Sequence, residues 1–206
     1  MAIVLPGSFV YLPHLYTGGA AVMAALKQIE GALVVVNKRK GIGHYSPWEK
    51  VRPLVEDQLT GTETIFTTVA NPYDALTGAY VQNDNHFQIR HRSRALGREC
   101  TFKDFLEVWC ELNRPPYMND NRLFYHASDA SVHLRYETLQ RDLDTLMRRL
   151  PDTPGSVQLG PVNETPDKDH WTSYFTDAAY AFVNEQFQDE IVEFGYAFVW
   201  SNDALV

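Results

Sequence analysis

Three short apolar runs in the first seventy residues, each leading into a stretch with helical spacing, constrain this chain most. Ser8 to Leu12 (SFVYL) reads as a buried strand. The pair Gly18-Gly19 follows, and then AAVMAALKQIE, in which Val22, Leu26 and Ile29 fall at i, i+4 and i+7. That spacing predicts one helical face, and Gly31 is a natural stop beyond it. Ala32 to Val36 (ALVVV) is a second strand with no alternation, which predicts cover on both faces. Pro47 to Gln58 reads as a helix with Pro47 in its first turn. Thr64 to Val69 (TIFTTV) is a third strand, and Pro72 opens the next helix. The order β-α-β-α-β-α predicts an α/β fold: a three-layer domain with a parallel sheet, right-handed crossovers and flanking helices.

The second half is less regular. Residues 81–100 are polar and without period, and read as a loop or insert. Thr101-Phe102-Lys103-Asp104 resembles a capping box before a helix running to about Asn113. Pro115-Pro116 breaks the chain, and Val132 to Tyr136 reads as a short strand. Leu139, Leu143, Leu146 and Leu150 then mark an amphipathic helix ended by Pro151. Thr176 is placed to cap a last helix whose Ala179, Val183, Phe187 and Ile191 share a face, with Gly195 closing it. A chain of 206 residues suits one domain spanning 1–206.

Charge and composition exclude several classes. A net charge of −8 argues against a nucleic-acid binder, whose footprint is basic. No apolar run is long enough to span a bilayer, and the apolar start MAIVLPGSFVYLP carries no basic leader, so neither a membrane protein nor secretion by a signal peptide is expected. Cys100 and Cys110 match no zinc spacing, and no metal site is expected; two free thiols fit a reducing compartment. The expected location is the cytoplasm or an assembled particle.

The first chemical candidate is the turn Pro13 to Ala21 (PHLYTGGAA). A strand, a glycine turn and a helix start make a cradle of backbone N–H groups that suits an anion. No Gly-Lys-Ser/Thr follows, so this is not a Walker A box. Taken alone, the glycine pair reads first as a tight turn.

Four further segments bear on it. Ile65 to Tyr80 (IFTTVANPYDALTGAY) resembles the sulfotransferase segment that runs Phe-x-x-Val-Arg-Asn-Pro-x-Asp-Arg-x-x-Ser-x-Tyr. GHYSPWEKVRPL around His44 resembles the His-containing stretch of the carbohydrate and heparan 2-O-sulfotransferase-like branch. Leu134 to Asp142 (LRYETLQRD) and Val162 to Phe198 are similar to two later blocks of that branch. With the glycine turn, five segments occur in the family's order over most of the chain.

The resemblance implies a P-loop-like, sulfotransferase-type domain. It also implies 3′-phosphoadenosine-5′-phosphosulfate (PAPS) as donor and a hydroxyl acceptor deprotonated by a His. Thr17, Gly18 and Gly19 match the family's donor loop. Its lysine, however, is Tyr16 here, and its Thr-Ser pair is Ala20-Ala21; His14 reaches the lysine position only with a two-residue insertion. In the second motif the two arginines are Ala70 and Ala75 and the serine is Gly78, while Asn71, Pro72, Asp74 and Tyr80 persist. The scaffold positions are kept and the charges are gone. A phosphate bound without cations in a partly closed site costs several kcal/mol.

His44 matches the family's base, and it also reads as a turn histidine bonded to backbone. Lys38, Arg39 and Lys40 end the second strand, either as a solvated run or as substitute cations. Arg90, Arg92 and Arg94 alternate in the insert, either solvated or facing an anionic acceptor. His133 reads as structural, and Arg135 as paired with an acid or phosphate. Three functions follow. One is a non-catalytic sulfotransferase-fold component of a larger assembly, viral or bacterial, that meets other protein chains and binds no cofactor. Another is an active PAPS-dependent sulfotransferase with His44 as base and rearranged ligands. The third is a nucleotide- or sugar-binding module that keeps the pocket without transfer. A small anionic ligand fits each. Tyr45, Trp48, Tyr117, Trp171 and Trp200, outside the periodic core, are candidate contact residues.

Overall fold

The computed structural model describes residues 2–14, 16–36, 48–82, 94–112, 123–124, 126–161 and 168–197. They belong to two compact units, Met1–Ala70 with His126–Glu164, and Asn71–Tyr125 with Thr165–Val206.

The first unit is α/β and holds a five-stranded sheet. Its strands are β1 (Ala2–Leu5), β2 (Phe9–Leu12), β3 (Leu33–Val35), β4 (Thr64–Val69) and β5 (Val132–Arg135), in the order β3-β1-β2-β4-β5. The sheet is mixed, which corrects the expectation of a parallel one. β2-β4 and β4-β5 are parallel, with Val10 opposite Ile65 and Thr67 opposite His133. β1 runs antiparallel to both β2 and β3. The cause is Pro6-Gly7. Pro6 presets the backbone, Gly7 takes φ 75°, and the Ser8 N–H returns to the Leu5 carbonyl at 3.0 Å. These are the features of a Pro-Gly turn, so β1 and β2 form a hairpin. Glu63 fastens it from outside, accepting the N–H groups of Gly7, Thr60 and Gly61 at 2.7–2.9 Å. Partial burial pushes its carboxyl up, but these backbone bonds outweigh that and hold it down at about 2.

Both sheet faces are covered, which explains strands without alternation. On one face Ile3, Leu5, Phe9, Tyr11 and Phe66 meet Val22 and Leu26 of helix α1 (Gly19–Leu26). The same cluster takes in Leu139, Leu143, Leu146 and Met147 of a second helix, over Leu139–Met147. On the other face Ala2, Val4, Val10 and Leu12 meet Val51 and Val55. Val51 ends the short helix α2 (Trp48–Val51). The longer helix expected to Gln58 is replaced by 3-10 turns over Arg52–Leu54 and Glu56–Gln58. Pro53 has no N–H for an α-helical bond, and its ring clashes with the preceding turn. β3 also departs from expectation. It is an edge strand of three residues with Val35 buried, whereas Val34 is 47% exposed.

The second unit is helical among its described residues. It contains α3 (Pro72–Gln82), α4 (Phe102–Leu112) and, following α5 (Leu139–Met147) in the chain, α6 (Asp177–Glu193). Aromatic rings fill it. Tyr73 stacks on Trp171 with centroids 5.5 Å apart, and Tyr80 meets the edges of Phe102, Phe105 and Tyr174. The capping box forms with an aspartate: Asp104 accepts the Thr101 N–H, and the Thr101 hydroxyl accepts the Asp104 N–H. Thr176 caps α6 by accepting the Ala179 N–H, and Ala179, Val183, Phe187 and Ile191 are buried as their spacing predicts.

A buried carboxylate organises the end of α6. Glu190, 2% exposed, accepts the N–H of Leu123 at 2.9 Å with one oxygen and that of Phe124 at 2.7 Å with the other. Replacing Glu190→Leu keeps the volume and leaves two amides without their acceptor. Each such loss costs about 1–3 kcal/mol, so urea denaturation should show a loss of roughly 2–6 kcal/mol. An unchanged midpoint would mean that water replaces the carboxylate.

Candidate functional site

The glycine turn between β2 and α1 is the site the sequence points to. It is shaped from inside by one run of hydroxyl groups. The Thr17 hydroxyl donates to the His14 carbonyl at 3.2 Å and lies 2.6 Å from the Thr68 hydroxyl; Thr68 lies 3.1 Å from the Tyr11 hydroxyl. Each hydroxyl has one proton. With Thr17's spent on His14, Thr68 must donate to Thr17, and Tyr11 must donate to Thr68. The run therefore points one way, from Tyr11 to the His14 carbonyl, and uses every proton. Beside it the Thr67 hydroxyl donates to the Leu12 carbonyl at 2.5 Å.

Two glycines are required for different reasons. Gly18 caps α1 in the left-handed region, with φ 73° and ψ 7°, and its carbonyl takes the N–H groups of Ala21 and Val22. Gly19 has an ordinary φ, but a Cβ there would lie 2.8 Å from the His14 carbonyl oxygen. Tyr16, at the position of the family's lysine, is also left-handed, with φ 58°. Thr17 is fully buried and faces the interior, while Ala20 is exposed. The turn therefore presents backbone and a methyl group outward.

His14 is not a substitute cation. It is 2% exposed, and its Nε2 accepts the His126 backbone N–H at 3.1 Å. A ring that accepts at Nε2 is neutral, with its proton on Nδ1. Burial, then repulsion from His126 and His133, holds His14 well below the ordinary histidine value. A buried, neutral ring offers no charge to a donor phosphate.

In the second unit Asn71, Asp74 and Tyr80 have structural partners. Asn71 Oδ1 accepts the Tyr73 N–H at 3.0 Å, and the Asn71 carbonyl takes the Ala75 N–H at 2.9 Å, starting α3. Asp74 pairs with Lys168 at 2.7 Å. The Tyr80 hydroxyl donates to the Cys100 carbonyl at 3.4 Å. Burial pushes the Tyr73 hydroxyl up to about 12, so it stays protonated and donates to Asn184 Oδ1 at 3.1 Å. Ala70, Ala75 and Gly78, where the family has its arginines and serine, are all buried.

His44, Lys38, Arg39, Lys40, Arg90, Arg92, Tyr45, Tyr117 and Trp200 lie outside the described residues. Of the remaining contact candidates, Trp48 packs against the α2-side core and Trp171 against Tyr73 and Phe175. His133 is structural as expected, its Nε2 3.0 Å from the Ala127 carbonyl. The backbone N–H of Arg135 donates to Asp142 at 3.3 Å. Thr68, His126 and Glu190 were not singled out in the sequence. Thr68 lies inside a β-branched strand, where threonine reads as a strand former, and His126 lies in an aperiodic stretch. Among the described residues no group of three or more His, Cys, Asp or Glu side chains is arranged to hold a metal ion, and no helix is long and apolar enough to cross a membrane. No protein-family model, curated protein or solved structure matches the chain.

The geometry of the turn sets a test. Gly19→Ala forces a methyl group into the His14 carbonyl and should cost about 1–3 kcal/mol in chemical denaturation, as overpacked sites do. Ala20→Lys, one residue on and exposed, should stay within about 0.5 kcal/mol. Equal effects would mean that the close approach at Gly19 is absent.

Proposed function

We propose that this protein is a non-catalytic descendant of the sulfotransferase fold, reused as a binding or structural component that contacts other protein chains. One observation carries the reading. The turn that would cradle the donor's phosphates supplies no cationic side chain among its described residues: Thr17 is turned into the core, His14 is buried and neutral, the lysine position is Tyr16, and Ala20-Ala21 replace the hydroxyl pair. Helix N-terminal amides alone are a weak match for a ligand with about four negative charges. Asn71, Asp74 and Tyr80 support the same reading, because local bonds account for their retention without any ligand.

Contact with other chains is supported by the exposed apolar residues Leu33, Val34 and Val36 on and beside the edge strand. An edge strand with exposed apolar side chains is the kind of feature that monomeric proteins usually blunt. The sulfotransferase reading stays attached to His44 and to the Lys38 to Lys40 run. A cofactor is expected only under that reading, and PAPS is the one implied.

Calorimetric titration with the desulfated donor, 3′-phosphoadenosine-5′-phosphate, decides between them, because that product keeps the 3′-phosphate. The expected result is no saturable heat at micromolar concentrations. Binding near one molecule per chain would overturn the non-catalytic reading and make His44 the first residue to test for turnover.

A further inference from the structure

The first unit contains a group of three imidazoles, two buried and one half-buried, that the proposed function does not use. His14 follows β2, His126 opens the segment that leads to β5, and His133 lies within β5. The His14 and His126 rings are 5.0 Å apart, tilted at 45°, and both are almost entirely buried. Their link is specific: the His126 backbone N–H donates to His14 Nε2 at 3.1 Å. From His126 the chain turns tightly. The N–H groups of Asp129 and Ala130 bond the His126 carbonyl at 3.1 Å, and the Ser131 N–H bonds the Ile65 carbonyl at 2.8 Å, which sets the start of β5 against β4. A lone pair on His14 therefore helps to anchor a turn that positions a strand.

We propose that the His14–His126 pair is an acid-operated latch: with both rings neutral it holds segment 126–131 to the turn after β2, and protonation of His14 releases that segment. The chemistry is a single proton. Protonated at Nε2, His14 has two N–H donors and no lone pair, so it can no longer accept the His126 N–H. It would also place a positive charge in a buried position, 5.0 Å from a second imidazole.

The groups facing the pair give the sign. His14 faces His126 from the segment before β5 and His133 from β5, and both oppose its charge. His126 faces Asp129, whose carboxylate lies 3.7 Å from its Nδ1 and favours charge; the amino-terminal charge opposes it weakly. Burial is the largest influence on both rings and lowers both from the ordinary 6.5. The unfolded or released segment therefore binds more protons than the latched one below pH 6.5. Latching is at full strength above that pH and weakens as pH falls, by about tenfold per pH unit for each ring that resists protonation.

Hydrogen exchange at residue resolution on the intact chain tests this between pH 7.5 and 5. Protection factors, corrected for intrinsic exchange, should fall at Asp129, Ala130 and Ser131 by up to about 100-fold per pH unit below 6.5, tenfold for each ring. His14→Gln supplies an uncharged acceptor at the same reach, and should remove about tenfold per pH unit of that dependence. Protection at these amides that ignores pH, or that falls as steeply in the glutamine variant, overturns the latch. If His14→Gln does not fold, the ring signals of the native protein decide. The latch requires the His14 ring to stay neutral until the 126–131 amides lose protection. A ring that titrates near 6.5 while those amides stay protected rules it out.

Discussion

The run of hydroxyl groups from Tyr11 through Thr68 and Thr17 to the His14 carbonyl is the interaction on which the rest of the first unit depends. It joins the middle strands β2 and β4 below their carboxyl ends, where parallel α/β sheets open into loops and meet ligands. All three hydroxyls are buried, and each gives its one proton to the next acceptor. A buried network satisfied in this way fixes one arrangement of the chain, whereas a broken member would leave a desolvated polar atom. Its endpoint, the His14 carbonyl, is also the atom that forbids a Cβ at Gly19. One contact therefore dictates the glycine pair, the start of α1 and the inward direction of Thr17. A glycine turn that looks ready for an anion is, by these bonds, a turn shaped by its own core.

The same logic applies to the second unit. Asn71, Asp74 and Tyr80 each have a bond that begins, braces or packs α3. Ala75, on the same helix, is buried. An alanine in a buried place costs little, whereas an unpaired guanidinium there costs several kcal/mol.

Much of this was legible in the sequence, and the failures have local causes. β4, α3, β5 and the cap and buried face of α6 were readable because their patterns are strong: continuous β-branched runs, Pro at a helix start, Thr176 at an N-cap. The hairpin escapes the sequence reading because the apolar run at residues 2–5 is not assigned to any strand there, although Pro6-Gly7 between two apolar runs is a turn signal. That omission turned a mixed sheet into an expected parallel one. β3 was read as doubly covered because ALVVV has no alternation, yet apolar composition cannot distinguish an edge from a centre. Of the candidate site, the place of Thr17, Gly18 and Gly19 between strand and helix was readable. The inward turn of Thr17 was not, because it depends on Thr68, more than fifty residues away. His126 and Glu190 escape for the same reason: the partner of His126 is the distant His14 ring, and those of Glu190 are distant backbone amides, which carry no sequence signature.

The account stands or falls on whether Thr17 belongs to the core or to a ligand. A double-mutant cycle with Thr17→Val and Thr68→Val measures this directly by chemical denaturation without ligand. Each single change should destabilise the protein by about 1–3 kcal/mol, since each leaves buried partners unmet. The pair should cost less than the sum, with a coupling of about 1 kcal/mol or more. Additive effects within about 0.5 kcal/mol, or a Thr17→Val protein as stable as the original, would contradict the account and return Thr17 to the candidate ligand loop.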